Sequence, residues 1–104
     1  MPVVVVATMT AKSDSVDKVR QACQQAVEAV HDEPGCQLYS LPEADGTFVF
    51  VEQWADAEAL TEHSKAPAIA TLFGTIGELL DGAPDIKMLQ PVAAGDPAKG
   101  QLRP

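Results

Sequence analysis

The chain is short of positive charge, of aromatic rings, of cysteine and of long apolar runs, and each shortage argues against a class of function. Seven Lys and Arg stand against fifteen Asp and Glu, a formal net charge of −8. Such a balance repels phosphate backbones and anionic lipid, which argues against nucleic acid and membrane surfaces as partners. The longest apolar run, Val3 to Ala7, falls far below the roughly 20 residues that span a bilayer, and no basic segment precedes it. The expectation is a soluble cytoplasmic protein. Cys23 and Cys36 lie thirteen apart, with no C-x-x-C and no nearby histidine pair, so neither a metal site nor a redox dithiol is indicated. Each reads as a small buried hydrophobe, and no secretion signal argues for a disulfide between them.

What is present fits one globular domain. At 104 residues the chain buries about 60 to 70% of its unfolded surface, and 46% hydrophobic with 21% charged residues is an ordinary globular balance. Val3 to Met9 is β-branched and apolar with almost no polar alternation, the pattern of a strand covered on both faces. Val16, Val19, Cys23, Val27 and Val30 then recur at helical spacing. Ser13 or Ser15 is placed to cap that helix, and Pro34-Gly35 stops it. Cys36 to Leu41 and Thr47 to Trp54 are strand-like runs joined across Pro42 to Gly46, the composition of a hairpin turn. Asp56 is placed to cap a helix through Ala57, Leu60 and His63. Pro67 interrupts or restarts it, and the apolar face continues through Ile69, Leu72, Phe73, Ile76, Leu79 and Leu80 to Asp81-Gly82. Ile86 to Pro91 reads as a last strand. Residues 1–92 form the expected domain, and 93–104 an extended tail whose resting place the sequence leaves open.

The order is βαββαβ, an α+β arrangement of the ferredoxin-like kind, with a four-stranded antiparallel sheet. Two helices cover one face of such a sheet, yet Val3 to Val6 and Phe48 to Val51 are apolar on both. A second copy packed face to face is the simplest cover, so a homodimer is expected.

On these elements, Glu33-Pro34-Gly35-Cys36 ends the first helix, Glu52-Gln53-Trp54 ends the third strand, and Ala59-Leu60-Thr61-Glu62-His63 precedes Pro67. Together they resemble the antibiotic biosynthesis monooxygenase family, whose members pair into a dimeric α/β barrel, and the resemblance runs from about Val3 to Val92. It implies a cofactor-independent monooxygenase of an aromatic, quinol or polyketide-like small molecule, requiring neither metal nor cofactor. Other activities of the same fold are a small-molecule isomerase and a non-catalytic binding or stress-related domain. Haem-degrading members resemble one another in an Asn, Trp, His constellation, whereas this sequence has no asparagine. Haem degradation is therefore disfavoured.

Cofactor-free oxygenation needs a base, a hydrogen-bonded place for developing negative charge and a dry aromatic pocket. His63 is the candidate base, because imidazole exchanges protons near neutral pH, and Glu52 is placed to orient it or act in its stead. Trp54, Tyr39, Phe50 and Phe73 are candidate substrate-binding rings. Three of these have a plainer reading too: His63 as a surface or partly buried histidine, Trp54 as a core anchor, Phe73 as core. Glu52 interrupts an apolar strand face, so it must be paired, with Arg20, Lys12 or a second subunit, or else open to a cavity. His31, in the last turn of the first helix, reads as structural.

Overall fold

A computed structural model describes residues 1–103; the last residue of the tail, Pro104, lies outside them. The chain runs β1 (Val3–Thr10), α1 (Val16–Val30), β2 (Cys36–Ser40), β3 (Glu43–Ala44), β4 (Thr47–Trp54), α2 (Ala57–Lys65), α3 (Pro67–Ile76) and β5 (Asp85–Leu89). The sheet is antiparallel throughout, in the order β2-β4-β1-β5, with β3 paired to β4. This is the expected α+β ferredoxin-like topology with one strand more than the sequence indicates. The addition is two residues long: Glu43 and Ala44 pair back on Phe48 and Thr47. Asp45 (φ 50°) and Gly46 (φ 80°) make the turn with two positive φ angles, the geometry that follows strand twist in a tight hairpin.

Register decides which side chains meet. Val3, Val5, Ala7 and Met9 stand opposite Trp54, Glu52, Phe50 and Phe48, and Tyr39 stands opposite Glu52. These share the inner face, where α1 and α3 supply Val19, Cys23, Val30, Leu72 and Ile76 to one core. Trp54 and Phe48 are fully buried, and burial of a large apolar side chain stabilises by about 1.5–3 kcal/mol. Val4, Val6, Val49, Val51 and Gln53 form the outer face, on which Val6, Val49 and Val51 are half-buried. The tail returns to one end of that face, where Gln53 Nε2 donates to the backbone oxygen of Arg103 at 3.2 Å and to Gln37 Oε1 at 2.8 Å.

Three local expectations need correction. Ser15 occupies the N-cap of α1, but its hydroxyl donates to Asp14 Oδ1; at φ −124° and ψ 7° it lacks the extended backbone that turns a capping oxygen toward the helix. The apolar helical pattern through Leu80 breaks earlier, because α3 ends at Ile76 and a 3-10 turn over Gly77–Leu79 leads Leu80 into a bridge with Ala11. The last strand runs Asp85–Leu89, so Gln90 and Pro91 fall outside it, as a residue without an N–H readily does. Both cysteines are free, Cys23 buried and Cys36 half-buried, and burial pushes the Cys23 thiol up to about 11.

Candidate active site

The site begins with a turn. Glu33 follows α1, and Gly35 turns the chain into β2 at φ +81°, a conformation that L side chains rarely adopt. Its backbone oxygen accepts from Ala55 N at 2.9 Å, and a Cβ on Gly35 would lie 2.5 Å from Ala59 Cβ. The missing side chain thus lets α2 lie against the 33–35 turn. Asp56 starts α2 as expected, accepting from Ala59 N through Oδ1 at 2.8 Å. Two turns along, His63 is the buried residue of α2 and points inward.

Three elements therefore converge on the His63 ring. Its Nδ1 lies 2.7 Å from Glu33 Oε1, and its Nε2 lies 3.9 Å from Glu52 Oε1. Trp54 Nε1–H donates to the same Glu52 oxygen at 2.9 Å, as two positions apart on one strand face allow. The Trp54 and His63 rings stack obliquely at 4.4 Å between centroids, and Tyr39 meets His63 edge-on at 5.4 Å. Tyr39 in turn stacks on Phe50 at 4.7 Å.

Burial raises the Glu52 carboxyl to about 7; the Trp54 bond opposes the rise and the charge of nearby Glu33 adds to it. Burial likewise pushes the Tyr39 phenol well above its usual range, with the charge of Glu52 acting the same way, so it stays a neutral donor. Neither Arg20 nor Lys12 reaches Glu52, contrary to one expectation. Arg20 grips Glu43 with two hydrogen bonds of 2.7 Å and Asp17 with a third, while Lys12 is exposed. The interruption of the apolar face is instead met by an indole and an imidazole. His31 is the C-cap residue of α1, its backbone N–H donating to the Val27 oxygen, while its side-chain Nε2 lies 2.9 Å from the Tyr39 backbone oxygen in β2.

A cavity of about 300 Å³ opens between sheet and helices beside this cluster. His63, Glu52, Tyr39, Phe50 and Phe73 all line it. Trp54 does not: it lies behind the wall, wholly buried, and bears on the cavity through Glu52 and His63. Ile86 and Met88 line the β5 side and are 58% and 71% exposed, which makes that side the mouth. Among the described residues, no group of three or more His, Cys, Asp or Glu is arranged to hold a metal ion. Glu33 is the residue that sequence reasoning missed, although it stands in the quoted Glu33-Pro34-Gly35-Cys36 stretch.

The sequence pattern of the family described as antibiotic biosynthesis monooxygenase matches residues 2–73. The chain belongs to that family. The match spans β1 through most of α3 and so includes every residue of the His63 cluster. Rv0793 of Mycobacterium tuberculosis is similar in structure, with a TM-score of 0.86 and 26% identity over 92% of this chain and 100% of that one. A crystal structure of an antibiotic biosynthesis monooxygenase is similar at a TM-score of 0.83 and 26% identity, covering 88% of this chain and 99% of the other. The uncharacterized protein sll1783 of Synechocystis sp. is 30% identical over 90 residues, 84% of this chain. The match takes in 61% of that relative's length, so sll1783 is the longer protein. No helix among the described residues is long and apolar enough to cross a membrane.

Proposed function

We propose that the protein is a monooxygenase that needs no cofactor and acts on an electron-rich aromatic small molecule, a quinol or an anthrone-like ketone. The carrying observation is the cavity itself: aromatic and aliphatic walls, with His63 and Glu52 together on one side. Its volume of about 300 Å³ sits at the lower end of the roughly 300–1,000 Å³ typical of small-molecule sites. In this reading His63 Nε2 takes a proton from an activated methylene or phenol, and the substrate anion passes one electron to O₂. The two radicals combine into a peroxide, the imidazolium returns its proton to the outer oxygen, and the O–O bond breaks as water leaves. One methylene and one O₂ give one carbonyl and one water, with the substrate supplying every electron. Glu52 and Tyr39 are hydrogen-bond donors for the oxyanion, and Phe50 and Phe73 flank the rings of the substrate.

Oxygen uptake with anthrone and substituted hydroquinones tests the reading. The expected result is uptake that falls by about 10²–10⁴-fold in His63→Ala, the usual contribution of a general base. Unchanged uptake in that variant removes His63 from the mechanism. Turnover of a bound aromatic without oxygen would mean an isomerase, and tight binding with no turnover a binding domain; either result overturns the oxygenase.

The working unit in this reading is a homodimer. Val6, Val49 and Val51 on the outer face support it, since a sheet face with that many branched apolar side chains calls for a cover, and a second copy presents a matching one.

A further inference from the structure

His63 separates two spaces. On one side is the cavity with Glu52 and Tyr39; on the other is a wider groove between the 33–35 turn and α2, lined by Glu33, Pro34, Ala59 and Glu62. The ring's two nitrogens divide accordingly, Nδ1 to Glu33 at 2.7 Å and Nε2 toward Glu52 at 3.9 Å. We propose that Glu33 is the positioning residue of His63: its carboxylate keeps the proton on Nδ1, leaves the Nε2 lone pair on the cavity side, and balances the charge when Nε2 takes a proton. The proposal deepens the assignment of His63 as base and rests on it.

Three observations carry it. A carboxylate only accepts, so the 2.7 Å contact assigns the hydrogen to Nδ1 and fixes the tautomer that a base at Nε2 requires. Glu33 is held from both sides of its backbone, with Glu33 N donating to Val30 O at 2.9 Å and Glu33 O accepting from Cys36 N at 3.2 Å, so the carboxylate is aimed before any substrate arrives. Its second oxygen, Oε2, is buried with no hydrogen-bond partner among the described residues. A carboxylate oxygen buried without a partner is costly unless positive charge forms beside it, which is what proton uptake by His63 provides. Glu52 from β4 and Tyr39 from β2 also face the ring, and the Cys36 thiol of β2 lies near both Glu33 and Glu52; Glu62 and Lys65 on α2 itself are exposed.

The ring ¹⁵N resonances of His63, recorded at a pH where the imidazole is neutral, read the tautomer without any substrate. His31 serves as an internal reference of opposite sense, because its Nε2 faces a carbonyl and must carry the hydrogen. We expect His63 protonated on Nδ1 in the wild type and shifted toward Nε2–H in Glu33→Ala. Glu33→Gln, which preserves shape and serves if Glu33→Ala fails to fold, should lower kcat for oxygen uptake with anthrone by about 10²-fold or more, with KM little changed. A His63 ring that keeps its Nδ1 proton in Glu33→Ala overturns the proposal, as does wild-type turnover in Glu33→Gln. If the wild type consumes no oxygen, the oxygenase reading fails, and the tautomer measurement still decides the role of Glu33.

Discussion

At the scale of single residues, Glu52 carries the sharpest physical consequence. Its carboxyl titrates near 4.5 when exposed and near 7 in the fold, so between those values the folded chain holds a proton that the unfolded chain has released. Stability contributed by this group is therefore full below about pH 4.5, declines as pH rises toward 7, and is flat above. The difference is on the order of 3 kcal/mol at its largest. Glu52→Gln keeps an oxygen for the Trp54 N–H and has nothing to ionise, so it should gain stability over the wild type steadily across that window. Urea midpoints of both proteins measured through the window check this, and parallel curves would mean that Glu52 is not held neutral. Trp54→Phe tests the same oxygen from the other side. Loss of the indole N–H leaves a buried acceptor unpaired and should cost about 1–3 kcal/mol in the same denaturation assay. The Glu52–Trp54 contact was within reach of the sequence, since residues two apart on a strand share a face. The Glu33–His63 contact was not, because nothing in the local pattern states which loop a helix thirty residues later will cover.

At the scale of elements, the site depends on how closely α2 lies against the 33–35 turn. Pro34-Gly35 was legible as a helix stop, but the second use of the glycine depends on Ala59 facing it, a tertiary fact. Gly35→Ala should be destabilising for two separable reasons: an alanine held at φ +81° costs about 1–2 kcal/mol, and its Cβ collides with Ala59. Adding Ala59→Gly removes the collision and leaves the backbone cost. Thermal melts should accordingly place the double variant between Gly35→Ala and a Gly35 background carrying Ala59→Gly. If Ala59→Gly gives no recovery, the close approach of α2 is not what Gly35 provides. The same displacement draws His63 away from Glu33, so the His63 tautomer should respond to Gly35→Ala before global stability is lost. Asp56, by contrast, was legible both as a residue and as an N-cap, because a side-chain oxygen before a helical pattern acts within three residues of itself.

At the scale of the whole molecule, the βαββαβ order and the strand pairing follow from period and turn chemistry, so the fold was legible nearly end to end; only the two-residue β3 is too short to register as a pattern. The outer face poses the remaining question. Val6 pairs with Val51 across β1 and β4, with Val49 beside them on the same face, giving a branched apolar surface at the middle of the sheet, while the tail is hydrogen-bonded at the Gln53 end. In a lone chain, Val51→Asp replaces a half-buried valine by a solvated carboxylate and should change the melting temperature little. In a face-to-face pair the same change sets a carboxylate opposite its own symmetry copy in an apolar interface, where desolvation and like charge act together. The wild type should therefore sediment at about twice the 11.0 kDa chain mass at micromolar concentration, and Val51→Asp at the chain mass, with near-native far-ultraviolet dichroism. A wild type that already sediments at 11.0 kDa removes the dimer. Since the His63 cavity lies on the opposite face, a monomeric but folded Val51→Asp that keeps its oxygen uptake would show that each chain carries a complete site. Loss of uptake on dissociation would instead mean that pairing holds β4, and with it Glu52 and Trp54, in register beneath His63.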